Sequence, residues 1–265
     1  MALPDLAPLA ALAGAMADAA GEIARGYFRQ PVAIEDKADA TPVTRADRES
    51  ERAIRRLVAE HHPTHGVIGE EEGPERPEAE FVWVIDPLDG TKRFITGNPM
   101  FGCLIALLHE GRPVLGVIDM PVLGERWVGV AGQPTLFRDA QGDREVRARP
   151  CATLDQATLS AASPHMFSDH ELPAFERVRK AVKTPLYGGD CFNYGALASG
   201  FMDLVIEADM GLYDYMAVIP VVTGAGGLVT DWRGQTLGLE GATGRVLAAG
   251  DPKVHEAALA LLALD

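Results

Sequence analysis

The segment WVIDPLDGTKRF, residues 83–94, carries the most evident chemistry in the chain. An apolar stretch ends at Asp86, Pro87 turns the backbone out of a strand, and Asp89 follows just ahead of Gly90 and Thr91. Carboxylates this close repel each other, and each raises the cost of ionising its neighbour. A hard divalent cation removes that cost: magnesium takes oxygen ligands from one or two carboxylates and keeps positions for water and phosphate. If Gly90 and Thr91 open a helix or a nest, their amides add donors to an anion. The alternative is an Asp-rich turn, because Asp-Pro and Asp-Gly are common turn punctuation.

Other acids stand at comparable places. Gly69-Glu70-Glu71 follows the apolar pair Val67-Ile68, so Glu70 can reach the same strand ends, whereas Glu71 and Glu72 suit a solvated acidic loop. Asp214 precedes YMAVIPVVTGAG, and Asp47 closes Thr44-Arg45-Ala46-Asp47. Taken singly, both read as helix caps, and T-x-x-D resembles a capping box. With Glu70, Asp86 and Asp89 they make five carboxylates at element edges, a set that suits two or three metals.

The elements that must position them alternate between helix and strand periods. An Ala-rich amphipathic helix ends before Pro31, and a second runs from about Asp47 to His61 with Ile54, Leu57 and Val58 at core spacing. FVWVID, residues 81–86, has a buried strand's composition and stops at Pro87; strands at 101–108, 113–120, 125–130 and 135–147 follow as an antiparallel meander. The second half predicts strands at 159–163 and 203–208, in LVTDW and in RVLAAG, and helices at 172–182, 191–202 and 215–226 and in KVHEAALALLAL. The fold class is therefore mixed α/β, with helices layered on sheets. Two subdomains, 1–150 and 151–265, are expected to share one interface, with a boundary near Pro150 that no flexible linker or repeat marks.

Charge and cysteine narrow the function classes. Lys and Arg number 24 against 38 Asp and Glu, a net charge of −14. That balance excludes a nucleic-acid groove and an anionic membrane surface as partners, and it disfavours a phosphorylated substrate unless a cation is recruited. Cys103, Cys151 and Cys191 have no C-x-x-C spacing and read as reduced thiols. The N-terminus lacks a basic n-region and carries Asp5, Asp18 and Glu22, so a cytoplasmic protein is expected. There is neither G-x-S-x-G nor G-x-x-x-x-G-K-[ST], and GAGG at 224–227 reads as a helix C-cap rather than a dinucleotide fingerprint.

GEE at 69–71, WVIDPLDGTKRF at 83–94 and YDYMAVIPVVTGAGGLVTDW at 213–232 resemble the signature regions of the inositol monophosphatase family, magnesium-dependent and lithium-sensitive phosphatases. The resemblance spans nearly the whole chain and implies a layered αβαβα sandwich and a homodimer. It implies that Glu70, Asp86 and the Leu88 carbonyl hold one metal and that Asp86, Asp89 and Asp214 hold a second. Gly90 and Thr91 would bind phosphate through their amides, with Asp89 and Asp214 also facing the substrate. Asp47 and the Thr91 hydroxyl match the pair that activates the attacking water, with Glu70 holding that water or a third metal. Lys37 stands where the family often has a lysine on a loop able to close over the site.

Further segments, among them ITGNPMFGCLIALLHEG, ASPHMF and YGGDCFNYGALASGFMDLVIEAD, are similar to the histidinol-phosphatase branch. Asp190 and Glu207 fall where the family contacts its substrate, and acids there suit a cationic leaving group such as histidinol. Asp190 as a cap for the helix from Cys191, and Glu207 as a strand-end charge, are the alternatives. Inositol 1-phosphate, a nucleotide bisphosphate and a sugar phosphate are the competing substrates. A metal-binding regulatory module without turnover is the competing non-enzyme class. His61, His62 and His65 lack metal-motif spacing and read as a surface cluster or a helix-end charge, and Trp83, Trp127 and Trp232 read as core.

Overall fold

The computed structural model describes residues 4–31, 34–36, 42–239 and 243–263; Lys37 lies outside the described residues. Helix α1 (Ala7–Tyr27) is followed by a short antiparallel pair, β1 (Ile34–Asp36) and β2 (Pro42–Thr44), and by α2 (Arg45–His61). Seven strands then form one sheet in chain order: β3 (Gly66–Gly69), β4 (Phe81–Asp89), β5 (Gly102–His109), β6 (Arg112–Met120), β7 (Glu125–Val130), β8 (Leu136–Asp139) and β9 (Gly142–Glu145). Only β3 and β4 pair in parallel, so the expected meander is present, with 135–147 folded into two strands. A short helix, α3 (Thr91–Ile95), leaves the end of β4.

The remainder builds a second sheet. Its elements are β10 (Thr158–Ala161), α4 (Leu172–Ala181), β11 (Thr184–Tyr187), α5 (Phe192–Ala198), β12 (Leu204–Glu207), α6 (Leu212–Tyr215), α7 (Val218–Gly224), β13 (Leu228–Thr230), β14 (Val246–Ala249) and α8 (Pro252–Leu262). The strand order is β11-β10-β12-β14-β13, with β11, β10 and β12 mutually parallel. Strand β11 has no counterpart in the sequence reading: all four of its residues are exposed, so no alternation marks it, and Pro185 is tolerated on this edge.

The period-2 alternation of strand side chains accounts for the layers. Trp83 and Ile85 of β4 with Ile105 and Leu107 of β5 pack against Ala13, Met16, Ile54 and Val58 of α1 and α2. Val82, Val84, Leu104 and Ala106, facing the other way, meet Tyr194 and Leu197 of α5 and Val218 and Val221 of α7, and beyond them Val205 and Val246 of the second sheet. The far face of that sheet, through Leu204, Ile206 and Leu247, packs on Phe175 and Val178 of α4 and Val254 and Ala258 of α8. The result is the expected αβαβα sandwich. Trp83, Trp127 and Trp232 are core residues, and all three cysteines are free and buried.

Two local departures shape the site. Strand β4 does not stop at Pro87: Asp86 pairs with Leu104 and Asp89 with Gly102, so one extra residue is bulged out between them. Proline fits a bulge because it has no ladder N–H to lose. Leu104 and Gly102 lie two apart on β5, so the bulge places Asp86 and Asp89 on one face although they are three apart in sequence. The helix expected at 215–226 is divided into α6 and α7. Pro220 is the cause, since its ring excludes a helical carbonyl at Met216. Asp214 therefore sits in the first turn of the short α6.

Candidate active site

The end of β4 meets the N-termini of α2, α3 and α6, the loop after β3 and the loop before α5. Their residues line a cleft of about 440 Å³ that includes Glu70, Asp86, Leu88, Asp89, Gly90, Thr91, Asp190 and Asp214. One carboxylate oxygen from each of Asp86, Asp89 and Asp214 lies within 4.8 Å of the others. Each keeps a second role in holding the backbone. Asp86 accepts from the Leu88 N–H at 2.9 Å, Asp89 from the Cys191 N–H at 2.7 Å, and Asp214 from the Gly211 N–H at 2.6 Å. The Cys191 contact ties the second sheet's side of the cleft to the first.

Electrostatics make this cluster incomplete. Burial, followed by the charges of Glu70, Asp89 and Asp214, pushes the Asp86 carboxyl well above the usual range. Burial and Asp190 raise Asp89 to about 7, and burial with Asp89 and Glu70 raises Asp214 strongly. Like charges gathered in a buried place hold protons unless a cation replaces them. An all-oxygen carboxylate set is the chemistry of a hard divalent ion, so these residues fit one.

Asp47 satisfies both readings of its motif. Thr44 is the N-cap of α2, and Asp47 Oδ2 accepts from the Thr44 N–H at 2.9 Å and from its hydroxyl at 2.5 Å. This box leaves Oδ1 facing the Thr91 hydroxyl, 3.2 Å away; the same hydroxyl is 3.2 Å from the Leu88 carbonyl. Burial raises the Asp47 carboxyl, against the hydrogen bonds from Thr44 and Thr91. Gly90, the N-cap of α3, has φ +85°, a left-handed conformation that glycine adopts without the usual side-chain penalty. Its carbonyl accepts from Arg93 and Phe94, so the chain turns at once into α3 with the first-turn amides directed outward from the helix start.

Asp190 and Glu207 occupy different settings. Asp190 lines the cleft, and its Oδ2 accepts from Arg93 Nε at 2.9 Å. Glu207 is only 2% exposed and lies behind the wall: its carboxylate accepts from the Ala162 N–H at 2.9 Å and from the Tyr194 hydroxyl at 2.7 Å. Burial lifts its carboxyl to about 7. Ala162 itself lines the cleft, so Glu207 acts on the cavity through that backbone.

Glu51, Arg93 and Tyr194 were not singled out from the sequence. Fully buried Glu51 accepts from Arg55 Nε at 2.8 Å and from the Glu71 and Glu72 N–H groups at 2.8 and 3.0 Å, which pins the loop carrying Glu70. A Cβ on Gly69 would fall 2.1 Å from Glu51 Oε1, so this approach requires glycine. The available signal was position: Glu51 falls on the same helical stripe as Asp47, Ile54 and Val58. His65 stacks on His62 and Phe81, with centroids 4.4 and 5.1 Å apart, and its Nδ1 accepts from Trp83 Nε1 at 3.2 Å. Among the described residues, no helix is long and apolar enough to cross a membrane.

Comparison with known proteins shows which family the chain belongs to. The model of the inositol monophosphatase family matches residues 5–263. The chain is 47% identical to the chloroplastic bifunctional phosphatase IMPL2 of Arabidopsis thaliana, covering 96% of this chain and 75% of that protein. It is 34% identical to the histidinol-phosphatase of Chlorobaculum parvum, over 90% of each. Among solved structures, an inositol monophosphatase from Zymomonas mobilis superposes with a TM-score of 0.88 at 42% identity, covering 98% of this chain and 99% of that one.

Proposed function

Because the chain belongs to the inositol monophosphatase family, we propose that it is a magnesium-dependent phosphomonoesterase whose substrate is histidinol phosphate, acting in histidine biosynthesis. The observation that carries the reading is the trio of buried Asp86 and half-buried Asp89 and Asp214, set beside the Gly90-Thr91 turn. Glu70, Asp86, Asp89, Asp214 and the Leu88 carbonyl would hold two or three magnesium ions. When bound, these supply Lewis acidity and reverse the local charge, adding about +4 to +6.

The chain's own groups do the rest. Gly90 and Thr91 amides bind phosphate oxygens and orient phosphorus for in-line attack by water. The Thr91 hydroxyl donates to Asp47 Oδ1 and turns its lone pairs toward that water, and the Asp47 carboxylate, oriented by Thr44, takes up its proton. Glu70 would help to hold that water or a third metal. No covalent phosphoenzyme is formed. The N-terminal part, 1–150, contributes most metal ligands, and 151–265 contributes Asp214 and the wall around the organic half. Asp190 places an acid on that wall, and Glu207 supports it from behind. The name of the Chlorobaculum relative supports histidinol phosphate; the name of the Zymomonas structure supports inositol 1-phosphate as the second reading. The same reading carries inhibition by lithium, a homodimer and a cytoplasmic location.

Phosphate release from histidinol phosphate, inositol 1-phosphate, an adenosine bisphosphate and fructose bisphosphate, with magnesium and with chelator, tests the proposal. The expected result is magnesium-dependent turnover with the highest kcat/KM on histidinol phosphate. A higher kcat/KM on inositol 1-phosphate overturns the substrate assignment, and absence of turnover on all four esters favours the regulatory module.

A further inference from the structure

Arg93 is the one arginine in the lining of the catalytic cleft among the described residues, and it faces Asp190. We propose that Arg93 sits in the seat of the substrate's cationic group, and that a cationic phosphate ester gains selectivity by displacing it from Asp190. The inference rests on the reading of this cleft as a phosphatase site, and it concerns a specificity-determining residue rather than a catalytic one.

The geometry is that of a replaceable partner. The Arg93 Nε to Asp190 Oδ2 distance is 2.9 Å, while the next contact, Nη2 to the Ala162 carbonyl, is a long 3.5 Å. The contact with Asp190 runs through Nε alone, without the bidentate fork that makes Arg–carboxylate pairs strong. Side-chain exposures of 32% for Arg93 and 16% for Asp190 leave the pair open to the cleft. Because the Asp190 side chain is only 16% exposed, leaving it without a partner would be costly, whereas exchanging Arg93 for a substrate cation keeps the carboxylate paired.

Position makes Asp190 the anchor and Arg93 the part that moves. Gly188, Gly189 and Asp190 are all left-handed, with φ of 93°, 102° and 44°, and the Cys191 N–H that follows is held by Asp89. Backbone geometry therefore fixes where the Asp190 carboxylate stands. Its Oδ2 is 3.2 Å from where a Cβ on Gly90 would lie, beside the turn assigned to phosphate. An ester bound at Gly90 and Thr91 thus places the near end of its organic half against Asp190. A neutral half meets a carboxylate already cancelled by Arg93, whereas an ammonium or imidazolium can take Arg93's place. Arg93, two residues after Thr91 in α3, then swings on its flexible stem toward solvent without disturbing Thr91.

The test pairs two esters with a ligand that needs no turnover. Arg93→Met is expected to raise the ratio of kcat/KM for histidinol phosphate over inositol 1-phosphate about tenfold, through KM. Asp190→Asn should lower the same ratio by a similar factor. Arg93→Lys, which keeps the charge and guards against loss of packing, should stay within about threefold of the parent. Calorimetric titration with histidinol itself should show tighter binding to Arg93→Met and weaker binding to Asp190→Asn. Equal changes in KM for both esters, or unaltered histidinol affinity in Arg93→Met, would overturn the proposal and make the pair a fixed wall. If the parent hydrolyses neither ester, the phosphatase reading fails on its own, and the histidinol titrations still decide the seat.

Discussion

Two sets of carboxylates, one buried in the fold and one at the head of the cleft, are built in opposite ways. Glu51 in α2 and Asp203 ahead of β12 are 0% and 1% exposed, and each is neutralised from within. Glu51 has Arg55 and two backbone N–H groups; Asp203 has Arg149 at 2.7 and 2.5 Å and the Thr158 N–H at 2.7 Å. Asp86, Asp89 and Asp214 are gathered within 4.8 Å with one another for company, and their carboxyls are raised strongly. The difference teaches what each set is for. An acid with a resident arginine completes the fold, whereas acids that share a buried place without one must import their counter-charge. Asp190 lies between these cases, with an arginine that is partly exposed.

The comparison breaks most visibly at Asp214. Asp214→Asn keeps the shape and the bond from the Gly211 N–H but removes the charge. It should lower kcat at least about 10³-fold, in the range seen when a preorganised electrostatic group is lost, and magnesium should no longer raise the melting temperature. Circular dichroism should remain that of the parent. A variant that retains magnesium-dependent stabilisation returns Asp214 to the role of a helix cap alone.

Glu51→Ala tests the other set. It leaves Arg55 and two loop amides without their buried partner, and breaking such a pair costs about 3–5 kcal/mol. Urea denaturation in chelator should report that loss, and magnesium affinity should weaken because the Glu70 loop is released. Full stability with reduced magnesium affinity would mean that Glu51 belongs functionally with the metal set.

How far each set was visible beforehand follows from the same contrast. Asp86, Asp89, Gly90 and Thr91 are legible because their chemistry is contiguous, and Asp47 and Asp214 because caps mark element starts. The layers follow from periodicity in strands such as β4 and β12. The bulge at Pro87 was read as a strand end, since a bulge is recognised only through the register of its partner β5. Glu51 and Arg93 carry no such mark, because their roles arise from loops brought to them by the tertiary fold, which local spacing does not encode. Glu207 was read as a substrate contact or a surface charge, and its burial under Tyr194 depends on how α5 crosses the second sheet.

His65 offers the comparison from the basic side, with the smallest expected effect. Burial and the neighbouring His62 lower its pKa from 6.5 to about 4, and the bond from Trp83 Nε1 requires a neutral Nδ1. In the unfolded chain the imidazole takes up its proton near its ordinary value of about 6.5. Because the folded pKa is depressed, the unfolded state binds more protons between these values, and stability falls as pH falls through that window. The contribution is fully present above about pH 6.5 and is lost toward pH 4, with a size reduced by solvent because the ring is only half-buried. Melting temperatures of the parent and of His65→Gln, measured from pH 7 to pH 4.5 in chelator, should converge as the pH falls. If the two profiles stay parallel, His65 is already free to protonate in the folded state, and the stack on Phe81 does not exclude charge as the carboxylate set excludes it.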